Sequence, residues 1–279
     1  MNPTASVEAP SESTGAEHRR RRSWARQPRL TVSLYVMAFV LTEAIGAFVS
    51  IPAQAVSVGV LLVIALNQAS LGYQSRRTAG VVMSVLFTSR LVALTLPLQS
   101  TSLVTRSAVV GAAVVIMVAL ADWVLDNDIS SSRHVESFPL KDPVVFRGLT
   151  TLLTALLGVP IGFAISALLE IDTPRIGEAS LIVISGAVVA LWLAAISEEL
   201  LYRRLVAAMV HHTAGSRTTY ISGILFAASY LGTRNVGMVI LMFATGAAFA
   251  WSCERTGSIR GPVVAHGIAL MLAGLVLPN

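Results

Sequence analysis

From Leu30 onward the chain is a succession of apolar runs, several of them about 18 to 20 residues long, and this narrows the fold most. A run of that length is what a helix needs to cross the hydrocarbon core of a bilayer. A transmembrane β-barrel would alternate apolar and polar positions in segments of about ten residues, whereas these runs are unbroken. Charged residues make up 13% of the chain and hydrophobic ones 54%. A soluble domain carries about a quarter charged residues. The expectation is an all-α, polytopic transmembrane bundle of about eight or nine helices.

The runs divide the chain into three parts. Residues 1–28 are polar and rich in Ser, Glu, Pro and Arg, and read as a disordered basic tail. Residues 29–147 hold apolar segments at 30–49, 53–71, 78–96 and 103–125, then a polar link over 126–147. Residues 148–279 hold segments at 148–169, from Ser180 onward, and at 218–231, 236–251 and 262–277. Cys253 is the sole cysteine, which excludes a disulfide framework and a cysteine-built zinc site.

The net charge is +5, and Lys141 is the only lysine among the basic residues. Arginines gather in the tail, at Arg76/Arg77, over 133–147, over 203–217 and at Arg255/Arg260, all on one side of the alternating segments. The positive-inside bias makes that side cytoplasmic, with the N-terminus there and the protein in the cell membrane. No aromatic residues alternate with the tail arginines, so nucleic acid is not an expected partner. Membrane lipid is.

Ionised side chains inside apolar segments are costly and mark function by default. Glu43 and Arg90 are two of them, and the reading favoured here is that they pair between the first and third segments. The densest group is Ser197-Glu198-Glu199-Leu200-Leu201-Tyr202-Arg203-Arg204, toward the cytoplasmic end of its segment. On a helix Glu198 and Glu199 point about 100° apart, so one can face a cavity while Arg203, one turn on, restrains the other. A carboxylate in apolar surroundings suits a general base acting on water. His266 is the one histidine inside an apolar segment, about one turn beyond Pro262. Tyr230 closes the stretch Phe226-Ala227-Ala228-Ser229-Tyr230.

Together these motifs resemble the CPBP family of intramembrane proteases, which includes the CAAX prenyl endopeptidases and Abi-like proteins of bacteriocin processing and immunity. That family carries EExxxR on one helix, FxxxH on a later one, and HxxxN or HxxxD on the last. Glu198-Glu199-Leu200-Leu201-Tyr202-Arg203 fills the first, and the stretch from Glu254 to His266 is similar to the third region. The second motif has Tyr230 where its histidine belongs, and the third has Leu270 where Asn or Asp belongs. Arg204 stands where a glycine commonly follows the first motif.

The resemblance implies an endopeptidase that cleaves a peptide or membrane-protein substrate near the cytoplasmic face, by glutamate-activated water. It implies Glu198 as base, Glu199 with Arg203 as its support, and His266 as electrophilic stabiliser, with Tyr230 at the second motif. A phenol has a pKa of about 10 and is a poor base at neutral pH, though it still donates to an anion or orients water. Losing a base costs about 10²–10⁴ in rate and losing an oxyanion donor about 10²–10³. Weakened activity follows. The alternative is a catalytically inactive member that binds a membrane partner, as a scaffold or immunity protein. His211 and His212, in the loop after the Glu-Glu helix, are weaker substitutes for the missing base. No cofactor is expected. Zinc is weakly supported, because Glu198, Glu199 and His266 are the only obvious ligand set.

Overall fold

The structure is a computed structural model that describes residues 13–71, 74–95, 103–128, 143–169, 181–207, 209–210 and 217–276, with side chains described from residue 30 onward. The described residues are helical throughout, with no strands among them. The all-α bundle expected from the apolar runs is the fold observed. In chain order the helices are α1 (Ser13–Phe48), α2 (Ile51–Leu71), α3 (Gln74–Thr95), α4 (Leu103–Asp128), α5 (Val144–Leu156) and α6 (Gly158–Leu168). Then come α7 (Leu181–Glu199), α8 (Thr218–Ala228), α9 (Val236–Thr256) and α10 (Arg260–Met271). Among the described residues seven stretches are long and apolar enough to cross a membrane, and the shorter apolar stretch Arg260–Leu275 adds to them.

Four expectations need correction. Helix α1 begins at Ser13, inside the stretch read as disordered, since arginine is a good helix former and an established helix extends at little cost. The fifth segment starts at Val144, within the expected loop, and is two helices in one span. Pro160 has no N–H to offer the Leu156 carbonyl four residues back, so the helix breaks between them. The eleven-residue α8 falls short of a spanning helix, and a 3₁₀ turn, Leu231–Thr233, continues it. Helix α7 runs into a π-helical turn, Leu200–Val206, in place of a uniform α-helix.

Turn chemistry fixes α9. Asn235 caps its N-terminus by accepting from the Met238 N–H at 3.1 Å. Gly257, at φ 65°, ends it in the left-handed conformation that glycine adopts without strain. Arg234 is left-handed too, at φ 54°, and its Nε donates to the Ala47 carbonyl at 2.6 Å, tying this corner to the end of α1.

Helices α2 and α3 pack together, α4 lies along α7, α8 along α9, and α10 rests on α5, α6 and α7. Leu34, Met37, Leu41, Val56, Val60 and Val63 point outward and are exposed. Apolar residues on that outer face are what lipid contact demands of a spanning bundle. Among the buried polar side chains, Ser197, Glu199, Arg203, Ser222 and His266 gather where α7, α8 and α10 meet.

Candidate active site

Glu199 is fully buried, whereas the Glu198 side chain keeps 35% of its exposure, so the adjacent glutamates face different surroundings. Oε2 of Glu199 lies 3.2 Å from Nε of Arg203, an ion pair whose angle falls short of a hydrogen bond. Oε1 lies 3.0 Å from Nδ1 of His266. Both lobes of that carboxylate are therefore engaged.

Arg203 has no access to solvent. Its guanidinium lies over the rings of Phe226, at 5.0 Å, and Phe249, at 5.9 Å, and its Nη1 donates to Ser222 Oγ at 2.7 Å. Cation–π contacts of this kind strengthen once the cation is desolvated. Phe226 is the hub of the cluster. It meets Tyr202, Tyr230 and His266 edge-on, at 5.2, 5.5 and 5.9 Å between ring centres. The phenylalanine of the second motif is thus a packing residue that seats the groups around it.

Glu198 faces the remaining polar groups. Tyr230 Oη donates to its Oε2 at 3.3 Å, and Nε2 of His266 lies 3.7 Å from the same oxygen. All five candidates from the sequence (Glu198, Glu199, Arg203, Tyr230 and His266) therefore meet in one cluster. His211 and His212 lie outside the described residues. Leu270 is not at the site. It packs against the small apolar cluster of Ala187, Leu191 and Leu275, where no donor is presented to Glu198.

Three features escaped the sequence reading. Ser222 and Phe249 hold Arg203, and neither belongs to a motif. The π-helical turn places Tyr202 and Arg203 on the helix immediately after the glutamates, and such turns occur frequently at functional sites. A lone serine in an apolar helix gives no signal of an arginine partner, and a π turn has no composition of its own.

The donor set does not fit zinc. Catalytic zinc takes three protein ligands. Glu199 occupies Nδ1 of His266, Tyr230 stands where a second histidine would, and Glu198 with Nε2 supplies only two donors. Among the described residues no group of three or more His, Cys, Asp or Glu is arranged to hold a metal ion.

The polytopic helical bundle thus brings Glu198, Glu199 and His266 together between α7 and α10. Residues 180–272, which carry every member of the cluster, match the family model described as type II CAAX prenyl endopeptidase Rce1-like. Over this segment the chain is similar to the CPBP family of intramembrane proteases. No curated protein and no solved structure matches the chain.

Proposed function

We propose that the chain is an intramembrane endopeptidase that hydrolyses a peptide bond near the cytoplasmic membrane face with water activated by Glu198, and that it turns over slowly. The carrying observation is the placement of the half-exposed Glu198 carboxylate beside Nε2 of His266, with Nδ1 of that ring already taken by Glu199. Oε2 and Nε2 are too far apart for a direct hydrogen bond, and one water can rest against both.

Glu198 takes a proton from that water as its oxygen bonds to the carbonyl carbon. His266, in its doubly protonated form, donates from Nε2 to the oxyanion. The C–N bond then breaks, and the leaving nitrogen takes the proton from Glu198. Glu199 and Arg203 hold the ring and the helix turn in place. Slow turnover follows from two positions. Tyr230 offers Glu198 a donor where the family has a base, and Leu270 packs away from the site. The arginine-rich loops support a cytoplasmic position for the Glu-Glu end of α7.

The same two positions favour a second reading, an inactive member that holds a peptide or membrane-protein partner. A peptide library offered to the purified protein separates them. Cleavage by the wild type that Glu198→Ala and His266→Ala both abolish supports the enzyme. Partner capture without cleavage in any variant supports the binder.

A further inference from the structure

Outside the segment that matches the family, α2 and α4 both pack on α3 and leave an apolar slot of about 240 Å³ between them. Val81, Ser84, Val85 and Thr88 of α3 form its floor, and the helical repeat puts these positions on one face. Leu66 of α2 and Leu120 of α4 line the sides and are exposed, so the slot opens on the lipid-facing surface. Ser84 Oγ donates to the Gly80 carbonyl at 2.7 Å and so asks nothing polar of an occupant. The far face of α3 is committed elsewhere. There Arg90, roughly half a turn round from the floor, donates from Nε and Nη2 to Glu43 of α1, the pair expected between the first and third segments. Gln54 Nε2 donates to the same carboxylate at 3.1 Å.

Size selects the occupant. A cavity of about 150 Å³ holds a benzene-sized group, so this slot takes a stretch of hydrocarbon chain. Two turns of a helix about 10 Å across fill on the order of 800 Å³ and do not enter it. Arg77 sits one turn before Val81 on the face that forms the floor, toward the end of α3 that the arginine-rich loops support as cytoplasmic. From Arg77 to Thr88 the helix rises about 16 Å. That is about half of a hydrocarbon core of roughly 30 Å, the depth of one leaflet. We propose that the slot binds one acyl chain of an anionic phospholipid from the cytoplasmic leaflet, with the lipid phosphate at Arg77. A guanidinium meets phosphate oxygens with paired donors, and its apolar stem lies along the bundle while the head reaches the interface. The slot also borders the support of the Glu198 cluster. Ala121 lines it, and the next residue, Asp122, places Oδ2 3.0 Å from Nη2 of Arg204 on the π-helical turn. A chain seated in the slot braces the part of α4 that holds this turn.

The test reads labelling and not cleavage, so it stands whether or not the endopeptidase reading does. The full chain is placed in phosphatidylcholine nanodiscs with a minor fraction of phosphatidylglycerol that carries a diazirine on one acyl chain. After irradiation, labelled residues are mapped by mass spectrometry. The expected label concentrates on the floor and sides of the slot, and unlabelled phosphatidylglycerol competes for it about fivefold better than phosphatidylcholine, the worth of one arginine at an anionic surface. Arg77→Gln should remove that preference and keep the chain in the slot. Ala69→Phe, on the α2 side, should fill the slot and abolish its label. Should that variant not fold, Leu120→Trp is read in the same way. Label spread evenly around the bundle overturns the proposal. So does label in the slot that both lipids compete for equally, or that Arg77→Gln leaves unchanged in its preference. Displacement by an apolar transmembrane peptide but not by unlabelled phosphatidylglycerol would give the slot to a helix and overturn it too.

Discussion

His266 and Glu199 meet through Nδ1 and Oε1 at 3.0 Å, and this contact decides which imidazole nitrogen is left for chemistry. Held there, the ring presents Nε2 toward Glu198. Glu199→Gln keeps the shape of the side chain but lets the amide present either its oxygen or its nitrogen to the ring. It also strips Arg203 of its counter-charge. We expect kcat to fall by about 10²–10³, comparable to losing an oxyanion donor, with a smaller change in KM. Steady-state cleavage of one peptide by the two proteins measures it, and an unchanged kcat would remove Glu199 from the mechanism.

Tyr230 can be tested in both directions. Tyr230→His restores a base beside Glu198 at the 3.3 Å contact now made by the phenol. It is expected to raise kcat by about tenfold or more, a fraction of the roughly 10²–10⁴ that a positioned base contributes. Tyr230→Phe removes only the hydroxyl and leaves the edge-on packing with Phe226. Faster cleavage by Tyr230→Phe than by wild type would mean that the phenol inhibits Glu198, and slower cleavage that it assists. Equal rates in all three proteins would place Tyr230 outside the chemistry.

Arg203 is a stability prediction. Its guanidinium is buried against Glu199, Ser222 and two phenylalanine rings. Arg203→Met leaves Glu199 buried with only His266 for a partner, and breaking a buried pair on one side costs about 3–5 kcal/mol. Thermal unfolding in detergent, followed by tryptophan fluorescence, should show a clear drop in midpoint. Arg203→Met/Glu199→Leu removes both charges and should recover much of that loss.

How much of this was legible in the residues depends on the range of the interaction. The spans were readable because bilayer thickness sets the length of an apolar run. The Glu199–Arg203 pair was readable because one helical turn separates the two. The Glu43–Arg90 pair followed from the cost of leaving either ion alone in lipid. That Ser222 and Phe249 hold Arg203 depends on how α8 and α9 pack against the π-helical turn, and no local pattern encodes that. Leu270 shows the reverse limit. A motif position suggested a place in the site, while the side chain sits in an apolar cluster because leucine has nothing to gain beside carboxylates. The break at Leu157 was open to reading from Gly158 and Pro160, since proline removes a helix hydrogen bond wherever it falls inside a span.

Metal removal is a direct check on the donor set. With Nδ1 of His266 bound to Glu199 and a phenol at the second motif, two donors face the reacting position. Cleavage should therefore survive prolonged treatment with chelators, and added zinc should not raise it. Loss of activity on chelation, restored by stoichiometric zinc, would overturn the water-activation scheme proposed for Glu198.

The last prediction concerns the support behind His266. Helices α6 and α10 approach so closely that a Cβ added at Gly158 would lie 2.2 Å from the carbonyl oxygen of Ala265, the residue before His266. Backbone cannot yield locally to that contact, so Gly158→Ala must push α10 away from α6. Overpacking of this kind costs about 1–3 kcal/mol. The displaced helix carries Nε2 with it, and small errors in position are expensive in catalysis. Both the unfolding midpoint and kcat should fall. Gly148→Ala is the control, since nothing lies within 4 Å of a Cβ there. Alanine in that exposed helical position should stabilise by about 0.5–1 kcal/mol and leave kcat alone. If the two variants behave alike, the α6–α10 contact does not position the histidine.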